Sequence, residues 1–218
     1  MSTTALIESL LGGDRWAAER LADLTPAECS LYGFILRRFA QERPPSPPEL
    51  ASRGGTDGAL RALVERDLVG LGDAGEVAVA YPFSARPTRH HVRIHDGRSY
   101  WAMCAIDALG IPFLTHQGAV IEAREPATDR PISVELDLDA TGLRSTPAEA
   151  VVVAARSGSG CASRCTCPHI NLFASPAAAE RYLAQPELHG AILTVTEAAA
   201  AGRRLFGGLL ERLGAPAR

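Results

Sequence analysis

The sequence has 218 residues, of which 46% are hydrophobic, and its formal net charge is −3. This length and apolar content predict a compact chain of one large or two small domains that buries a sizeable core. The 22 basic residues are all arginines and are balanced by 25 acidic residues. The overall charge therefore does not favour nucleic-acid binding.

The sequence contains no apolar run of about twenty residues that would span a membrane. It starts with Met1-Ser-Thr-Thr-Ala5, which lacks the basic and apolar segments of a secretory signal. We therefore expect a cytoplasmic protein with no membrane association. Its five cysteines are then expected to be thiols, metal ligands or catalytic groups, because the cytoplasm keeps thiols reduced and disulfide frameworks are rare there.

Two capping motifs predict helices in the N-terminal part of the chain. Thr25-Pro-Ala-Glu28 and Ser46-Pro-Pro-Glu49 each place a capping side chain before a proline, with a glutamate three residues on. A Gly54-Gly55 turn, a helix near residues 57–66 and an extended Val77–Ala80 follow. This order of elements is typical of a winged helix-turn-helix.

The pattern as a whole predicts that residues 1–81 form a helical, winged-helix-like domain. Winged helices often bind DNA by placing a recognition helix in the major groove. The candidate recognition helix, residues 57–66, has only two arginines, which two acidic residues balance. Because phosphate contacts need clustered basic residues, we favour a structural or interaction role and expect no nucleic-acid partner.

Short β segments after Pro82 predict an α+β domain over residues 82–218, with a mixed or antiparallel sheet and helices. The predicted strands are His90–Ile94, Gly118–Ala123, Pro131–Leu138, Ala150–Ala154 and Ala191–Val195. The predicted helices are Ser99–Leu109, Pro176–Gln185 and Thr196–Leu213. A capping motif at Thr146–Glu149 competes with the fourth strand, but the valines that follow it favour the strand.

Cys104 and Asp107 form the most informative pair in the chain. They lie three residues apart in Tyr100-Trp-Ala-Met-Cys-Ala-Ile-Asp107, and on a helix this spacing puts both on one face. A carboxylate beside a thiol can take its proton and later return it to another atom. Cys167 would have to join them from the distant loop of residues 158–168. Two thiolates suit a soft metal, and Hg(II) is softer than Zn(II).

The stretch Ile94-His-Asp-Gly-Arg-Ser-Tyr-Trp-Ala-Met-Cys-Ala-Ile-Asp-Ala-Leu109, together with Cys167-Pro-His-Ile-Asn-Leu-Phe-Ala-Ser175, closely resembles the alkylmercury (organomercurial) lyase family. The resemblance implies an enzyme of mercury resistance and detoxification that cleaves carbon–mercury bonds to a hydrocarbon and Hg(II). It implies that Cys104 and Cys167 bind mercury and activate the bond. It further implies that Asp107 relays the proton to carbon and helps hold the metal.

The resemblance also implies the other reactants. Organomercurial small molecules are the substrates, low-molecular-weight thiols assist turnover, and Hg(II) passes to those thiols or to a mercuric reductase, with no organic cofactor. The chain departs from the family at Cys167-Pro-His169, where members have Cys-Cys-His, and it has Cys161 and Cys165 upstream. These departures bear on product handling, and they leave room for a relative that cleaves another carbon–metal or carbon–metalloid bond.

Other interpretations of the same residues stay open. Cys161, Cys165, Cys167 and His169 could be Zn(II) or Cu(I) ligands in a metal-binding or metal-sensing protein whose winged helix binds DNA. Cys161 and Cys165 are also consistent with accessory thiols that trap or relay mercury. For His169 we favour a satisfied core histidine over a group that orients a thiolate.

Several residues outside these motifs have simple structural interpretations. We expect His90-His91 to place one ring on each face of a strand rather than to bind a metal, and Cys29 to be structural. Tyr100, Trp101 and Phe113 are core residues by default, although aromatic side chains could shape an apolar pocket for the organic group. The sequence has no Gly-x-Ser-x-Gly elbow, and no Gly-x-Gly-x-x-Gly motif follows a predicted strand, which disfavours hydrolase and dinucleotide-binding functions.

Overall fold

The computed structural model describes residues 20–53, 58–138, 142–158 and 162–214. Its N-terminal part contains helices α1 (Pro26–Phe39), α2 (Pro47–Ala51) and α3 (Ala59–Glu65). Both predicted capping motifs are confirmed. The Glu28 main-chain N–H donates to the Thr25 hydroxyl at 3.3 Å, and the Ser46 main-chain N–H donates to the Glu49 carboxylate at 2.9 Å. The predicted Gly54-Gly55 turn lies outside the described residues.

Eight antiparallel strands form the larger sheet, in the order β1-β2-β3-β5-β4-β6-β7-β8. They are β1 (Val69–Leu71), β2 (Val77–Ala80), β3 (Phe83–Ser84), β4 (His90–Ile94), β5 (Ser99–Ala102), β6 (Ala119–Arg124), β7 (Pro131–Leu136) and β8 (Leu143–Thr146). The register pairs Val92 with Ile121 and Ile121 with Val134. All three side chains are fully buried, so this face of the sheet lies against the core.

The remaining strands form a smaller antiparallel sheet in the order β10-β9-β11. Its strands are β9 (Val151–Ser157), β10 (Ile170–Phe173) and β11 (Leu188–Thr194). The other helices are α4 (Ala105–Thr115), α5 (Ala162–Cys165), α6 (Pro176–Leu183), α7 (Val195–Phe206) and α8 (Leu209–Gly214), with a 3₁₀ turn at Cys167–His169. The five predicted strands and the Pro176 helix are confirmed, with ends that differ by a few residues.

Helices α4 and α7 lie between the two sheets and cross each other. α4 contacts β4, β5 and β6 of the larger sheet and β10 of the smaller one, while α7 contacts β8, β9 and β11. Helix α6 covers the opposite face of the smaller sheet, where Val153, Phe173 and Ala179 form a second apolar cluster. The chain is therefore an α+β fold in which β5, α4 and β10 meet.

The predicted helix over Ser99–Leu109 is wrong in its first half. Residues Ser99–Ala102 form strand β5, which pairs with β3 and β4, and the helix starts at Ala105. Tyr100 is buried while Trp101 is half-exposed, which is the alternation of a strand, and aromatic residues favour that conformation. Cys104 has extended backbone angles (φ −153°, ψ 178°) and is the N-cap of α4.

The predicted helix over Thr196–Leu213 is interrupted. It divides at Gly207-Gly208 into α7 and α8, because Gly208 adopts the left-handed conformation (φ 67°) that ends a helix. The predicted strand after Thr146–Glu149 is confirmed, since β9 begins at Val151.

The sheet and the core continue across the sequence position between residues 81 and 82. Strands β2 and β3 pair directly, the Phe39 ring stacks on Phe83 at 5.7 Å between centroids, and one core cluster contains residues from both parts. The division into residues 1–81 and 82–218 stays a prediction from the pattern of helices and strands in the sequence. None of the helices within the described ranges is long and apolar enough to cross a membrane.

Candidate active site

Cys104 and Asp107 are held together by the first turn of α4. Cys104 caps the helix, and the Asp107 main-chain N–H donates to its sulfur at 3.4 Å. Asp107 is therefore the third residue of the helix, and its side chain lies beside the capping thiol. The positive end of the helix dipole also lies here, which favours negative charge on the sulfur.

Cys167 reaches the site from the 3₁₀ turn that leads into β10. Two hydrogen bonds hold this turn: the His169 main-chain N–H donates to Thr166 O at 2.9 Å, and the Asn171 amide donates to Pro168 O at 2.7 Å. The His169 ring nitrogens lie 2.8 Å from Ser157 Oγ and 3.0 Å from the Tyr182 hydroxyl. His169 thus anchors the turn, as expected for a satisfied histidine.

The structure brings the three predicted residues into one site. The ligand atoms of Cys104, Asp107 and Cys167 all lie within 4.8 Å of one another, and Cys167 Sγ lies 3.9 Å from Asp107 Oδ2. The three residues are only 2%, 4% and 6% exposed. The convergence that the sequence only permitted is observed, and it places two thiols and a carboxyl group in a site shielded from water.

Burial controls the protonation of this site. It raises the pKa of Asp107 to about 7, against the opposing effect of hydrogen bonds from Cys104 and Cys167. Burial also raises the pKa of Cys104 well above its usual value, and the neighbouring Cys167 and Asp107 act in the same direction. Near neutral pH the Cys104 sulfur therefore keeps its proton, and Asp107 is able both to accept a proton and to supply one.

Comparison with known proteins shows the family. The MerB alkylmercury lyase model matches residues 83–207, a segment that contains all three site residues. The chain is 30% identical over 156 residues to the alkylmercury lyase of Pseudomonas putida, with 70% of this chain and 72% of that protein covered. The chain belongs to the alkylmercury lyase family. The resemblance found in its two motifs is thereby confirmed.

Further alkylmercury lyases and a solved structure agree with this assignment. The enzyme of Staphylococcus epidermidis is 28% identical over 180 residues, with 80% of this chain and 81% of that protein covered. The fold is shared with the crystal structure of the mercury-bound form of MerB2, at a TM-score of 0.77 and 21% identity, over 90% of this chain and 98% of that one.

Among the residues that the structure describes, no other cysteine belongs to this site. Within those ranges, Cys104, Asp107 and Cys167 are the one group of three or more His, Cys, Asp or Glu side chains that converge as metal ligands. Cys165 is half-buried at the end of α5, and Cys161 lies outside the described residues. A cluster of Cys165, Cys167 and His169 is therefore not observed.

Other residues considered from the sequence have structural contacts. Tyr100 is buried and its hydroxyl donates to Ala40 O at 2.8 Å, so it is a core residue. On the opposite face of the sheet, the His91 and Trp101 rings lie 4.5 Å apart between centroids. His90 is buried. The two histidines therefore lie on different faces of the strand, as predicted. Cys29 is half-buried on α1.

One residue that contacts the site was not expected from the sequence. The hydroxyl of Tyr81 lies 3.9 Å from Cys167 Sγ, and Tyr81 is 1% exposed. Tyr81 follows β2 and lies 86 positions from Cys167, outside both motifs that carry the family resemblance. The only indication in the sequence is a tyrosine next to a strand, which usually packs in a core.

Proposed function

We propose that this chain is an organomercurial lyase that protonolyses carbon–mercury bonds to give a hydrocarbon and Hg(II). One observation carries the proposal: two buried thiols and a carboxyl group of raised pKa converge within 4.8 Å in a member of the alkylmercury lyase family. Thiolates are the preferred ligands of soft metals, and the carboxyl group supplies the proton that the carbon needs.

Capture of the substrate requires two exchanges at mercury. One thiol displaces the small thiolate that accompanies the organomercurial, and this thiolate leaves with the proton of the incoming thiol. The second thiol gives its proton to the Asp107 carboxylate while its sulfur binds mercury. Because the pKa of Cys104 is raised, a nearby base is needed, and a carboxylate oxygen of Asp107 lies within 4.8 Å of both sulfurs.

Cleavage then uses the proton that Asp107 has taken. Electron density donated by the two sulfurs weakens the carbon–mercury bond, and the bonding pair stays with carbon, which takes the proton from Asp107. The hydrocarbon leaves, Hg(II) remains bound to Cys104 and Cys167, and the Asp107 carboxylate lies beside it. Since the site excludes water, a positioned acid is the proton source.

The same proposal includes the substrates, the acceptors of Hg(II) and the cellular location of the protein. Small organomercurials are the substrates, and low-molecular-weight thiols or a mercuric reductase remove Hg(II) by thiolate exchange, with no organic cofactor. Cys161 and Cys165 are proposed accessory thiols in this transfer. The reaction needs reduced thiols, which the cytoplasm maintains, and we place the protein there, in mercury resistance.

We further propose that the two parts of the chain have different tasks. Residues 82–218 carry the three site residues, while residues 1–81 form a helical, winged-helix-like part that does not bind DNA. The element order α1–α3 followed by the antiparallel pair β1–β2 supports this. Arg61 on α3 is paired with Glu65 at 2.8 Å, which leaves little positive charge for phosphate contacts.

The test is hydrocarbon release by purified protein with excess small thiol, as benzene from phenylmercury and methane from methylmercury. Wild type is compared with Cys104→Ala, Cys167→Ala and Asp107→Asn, and with Cys29→Ala as the matched control for a thiol away from the site. We expect release from wild type and the control only. Tight Hg(II) binding without hydrocarbon release by wild type would overturn the proposal and indicate a metal-binding or metal-sensing protein.

A further inference from the structure

Each sulfur of the site has a different set of polar neighbours. The Cys104 sulfur accepts a main-chain hydrogen bond from Asp107 at 3.4 Å. The Cys167 sulfur lies 3.9 Å from two oxygens, Asp107 Oδ2 and the Tyr81 hydroxyl, and its thiol proton can be donated to either. Cys167 is followed by Pro168, which has no N–H, and within the described residues no main-chain N–H donates to the Cys167 sulfur.

The reaction reverses the hydrogen-bonding needs of Cys167. In the resting site its thiol donates, but a sulfur bound to mercury has lost that proton and can only accept. Asp107 then holds the proton destined for carbon, so it is not the donor that the Cys167 sulfur needs. The Tyr81 hydroxyl remains, and its O–H can rotate about the C–O bond to face the sulfur.

The position and the protonation of Tyr81 allow its hydroxyl to act as a hydrogen-bond donor to the Cys167 sulfur. Its main-chain oxygen accepts a hydrogen bond from the Tyr32 hydroxyl at 3.1 Å, and its main-chain N–H donates to Leu68 O at 3.3 Å, so the residue is held from both sides. The ordinary pKa of a tyrosine phenol is about 10. The phenol therefore keeps its proton at neutral pH.

We propose that Tyr81 is a positioning residue of the lyase reaction, whose hydroxyl donates a hydrogen bond to the Cys167 sulfur once that sulfur binds mercury. The hydrogen bond keeps the second sulfur at the metal while Asp107 delivers its proton to carbon. Tyr81 keeps its proton throughout, so the proton that reaches carbon still comes from Asp107. This inference rests on the proposed function, because it assigns Tyr81 to the same site and the same substrate.

The first test compares single-turnover hydrocarbon release by wild type, Tyr81→Phe and Tyr100→Phe. Tyr100 is the matched control, because it is also buried but its hydroxyl donates to Ala40 O and not to a sulfur. Loss of a hydrogen bond to a charged, buried group should lower the single-turnover rate of hydrocarbon release about tenfold to a hundredfold for Tyr81→Phe. The control should stay within about twofold of wild type, and circular dichroism checks the fold of both.

The second test detects the hydrogen bond directly. In the Hg(II)-loaded protein, a hydrogen bond withdraws electron density from sulfur and moves the sulfur-to-mercury charge-transfer absorption to higher energy. Tyr81→Phe should move this band to lower energy, and Tyr100→Phe should not. Replacement of Tyr81 by 3-fluorotyrosine keeps the ring and the hydroxyl, strengthens the donor and should move the band to higher energy, which tests the inference even if Tyr81→Phe does not fold.

The outcomes separate this inference from the proposed function. If wild type releases no hydrocarbon, the lyase proposal itself fails. If wild type is active and Tyr81→Phe has both wild-type kinetics and an unchanged band, only the role of Tyr81 is overturned. A slower Tyr81→Phe with an unchanged band, or a 3-fluorotyrosine protein without a shift, would assign Tyr81 a structural role and would also overturn the inference.

Discussion

At the scale of single residues, Cys104 is a helix cap that we also propose as a mercury ligand. It caps α4 through its sulfur, although serine, threonine, aspartate and asparagine are the preferred residues at that position. A hydroxyl would cap the helix better, but it would not bind a soft metal. The proposed mercury binding therefore accounts for a cysteine at position 104, whereas the stability of the helix does not.

Two replacements of Cys104 separate its contribution to helix capping from its proposed binding of mercury. We expect both Cys104→Ser and Cys104→Ala to release no hydrocarbon, because neither side chain binds mercury. Serine can cap α4 and alanine cannot, so the serine variant should have a free energy of unfolding about 1 kcal/mol higher than the alanine variant. Urea unfolding of the two proteins gives this difference. Equal stabilities would show that the side chain of residue 104 does not cap the helix.

Asp107 should make the stability of the metal-free protein depend on pH. Its pKa is raised from 3.8 to about 7, so the folded state binds more protons than the unfolded state between these values. The contribution of this group is therefore most favourable below about pH 4 and is lost as pH rises to about 7. The full loss amounts to about 4 kcal/mol, since one pKa unit corresponds to about 1.4 kcal/mol.

Asp107→Asn removes this titration and tests the prediction. Relative to wild type, the variant should gain about 2 to 3 kcal/mol in free energy of unfolding between about pH 5 and about pH 8. Urea unfolding at both pH values, without mercury and with a reductant, provides the measurement. A difference between the two proteins that is the same at both pH values would contradict the raised pKa of Asp107.

At the scale of elements, the crossing of α4 and α7 depends on two glycines. A Cβ atom on Gly202 would lie 2.8 Å from Gly110 N and 2.8 Å from Ile106 O, both of them main-chain atoms of α4. A Cβ on Gly110 would collide with the Phe206 ring. Because α4 carries Asp107 on its first turn, this close approach also determines where the carboxyl group lies relative to Cys167.

Gly202→Ala should therefore destabilise the protein, although alanine is the better helix former. The added methyl group meets main chain and not a flexible side chain, so the helices must separate, which typically costs about 1 to 3 kcal/mol. Ala200→Ser, at an exposed position of the same helix, is the control and should change the stability by less than about 0.5 kcal/mol. Thermal or urea unfolding gives the stability of both variants. A Gly202→Ala protein more stable than wild type would contradict the close crossing of the two helices.

At the scale of the whole molecule, the part predicted as residues 1–81 shares its core with the rest of the chain. The Arg98 guanidinium and the Tyr100 hydroxyl both donate to Ala40 O, at 2.7 Å and 2.8 Å, and the Ser99 main-chain N–H donates to the Glu42 carboxylate at 2.7 Å. Tyr81, which contacts the site, comes from the same part. The site is thus completed by both parts of the chain.

The shared core predicts cooperative unfolding. The full chain should unfold in one transition, with coincident curves from far-UV circular dichroism and from tryptophan fluorescence. A fragment of residues 82–218 should not fold alone, because it would lose Phe39, whose ring stacks on Phe83 at 5.7 Å between centroids, and would expose that apolar face. Two separated transitions, or a folded fragment, would instead support two independent domains.

Several features of the protein followed from the sequence alone because short-range interactions decide them. The capping motifs at Thr25 and Ser46 use hydrogen bonds that span three residues, and the division of His90 and His91 between the two faces of β4 follows from the two-residue period of a strand. The three site residues were also named from sequence, through the chemistry of thiols and carboxylates and through the resemblance of two segments to one family.

Other features depended on the tertiary structure because they depend on contacts between distant residues. Pairing with β3 and β4 makes Ser99–Ala102 a strand, where the local pattern predicted a helix. The meeting of Cys104 and Cys167, the burial that raises the pKa of Asp107 to about 7 and the contact of Tyr81 with Cys167 all require the chain to be folded. The sequence by itself determined which chemical groups the protein has, and the tertiary structure decided their distances and their exclusion from water, on which their reactivity depends.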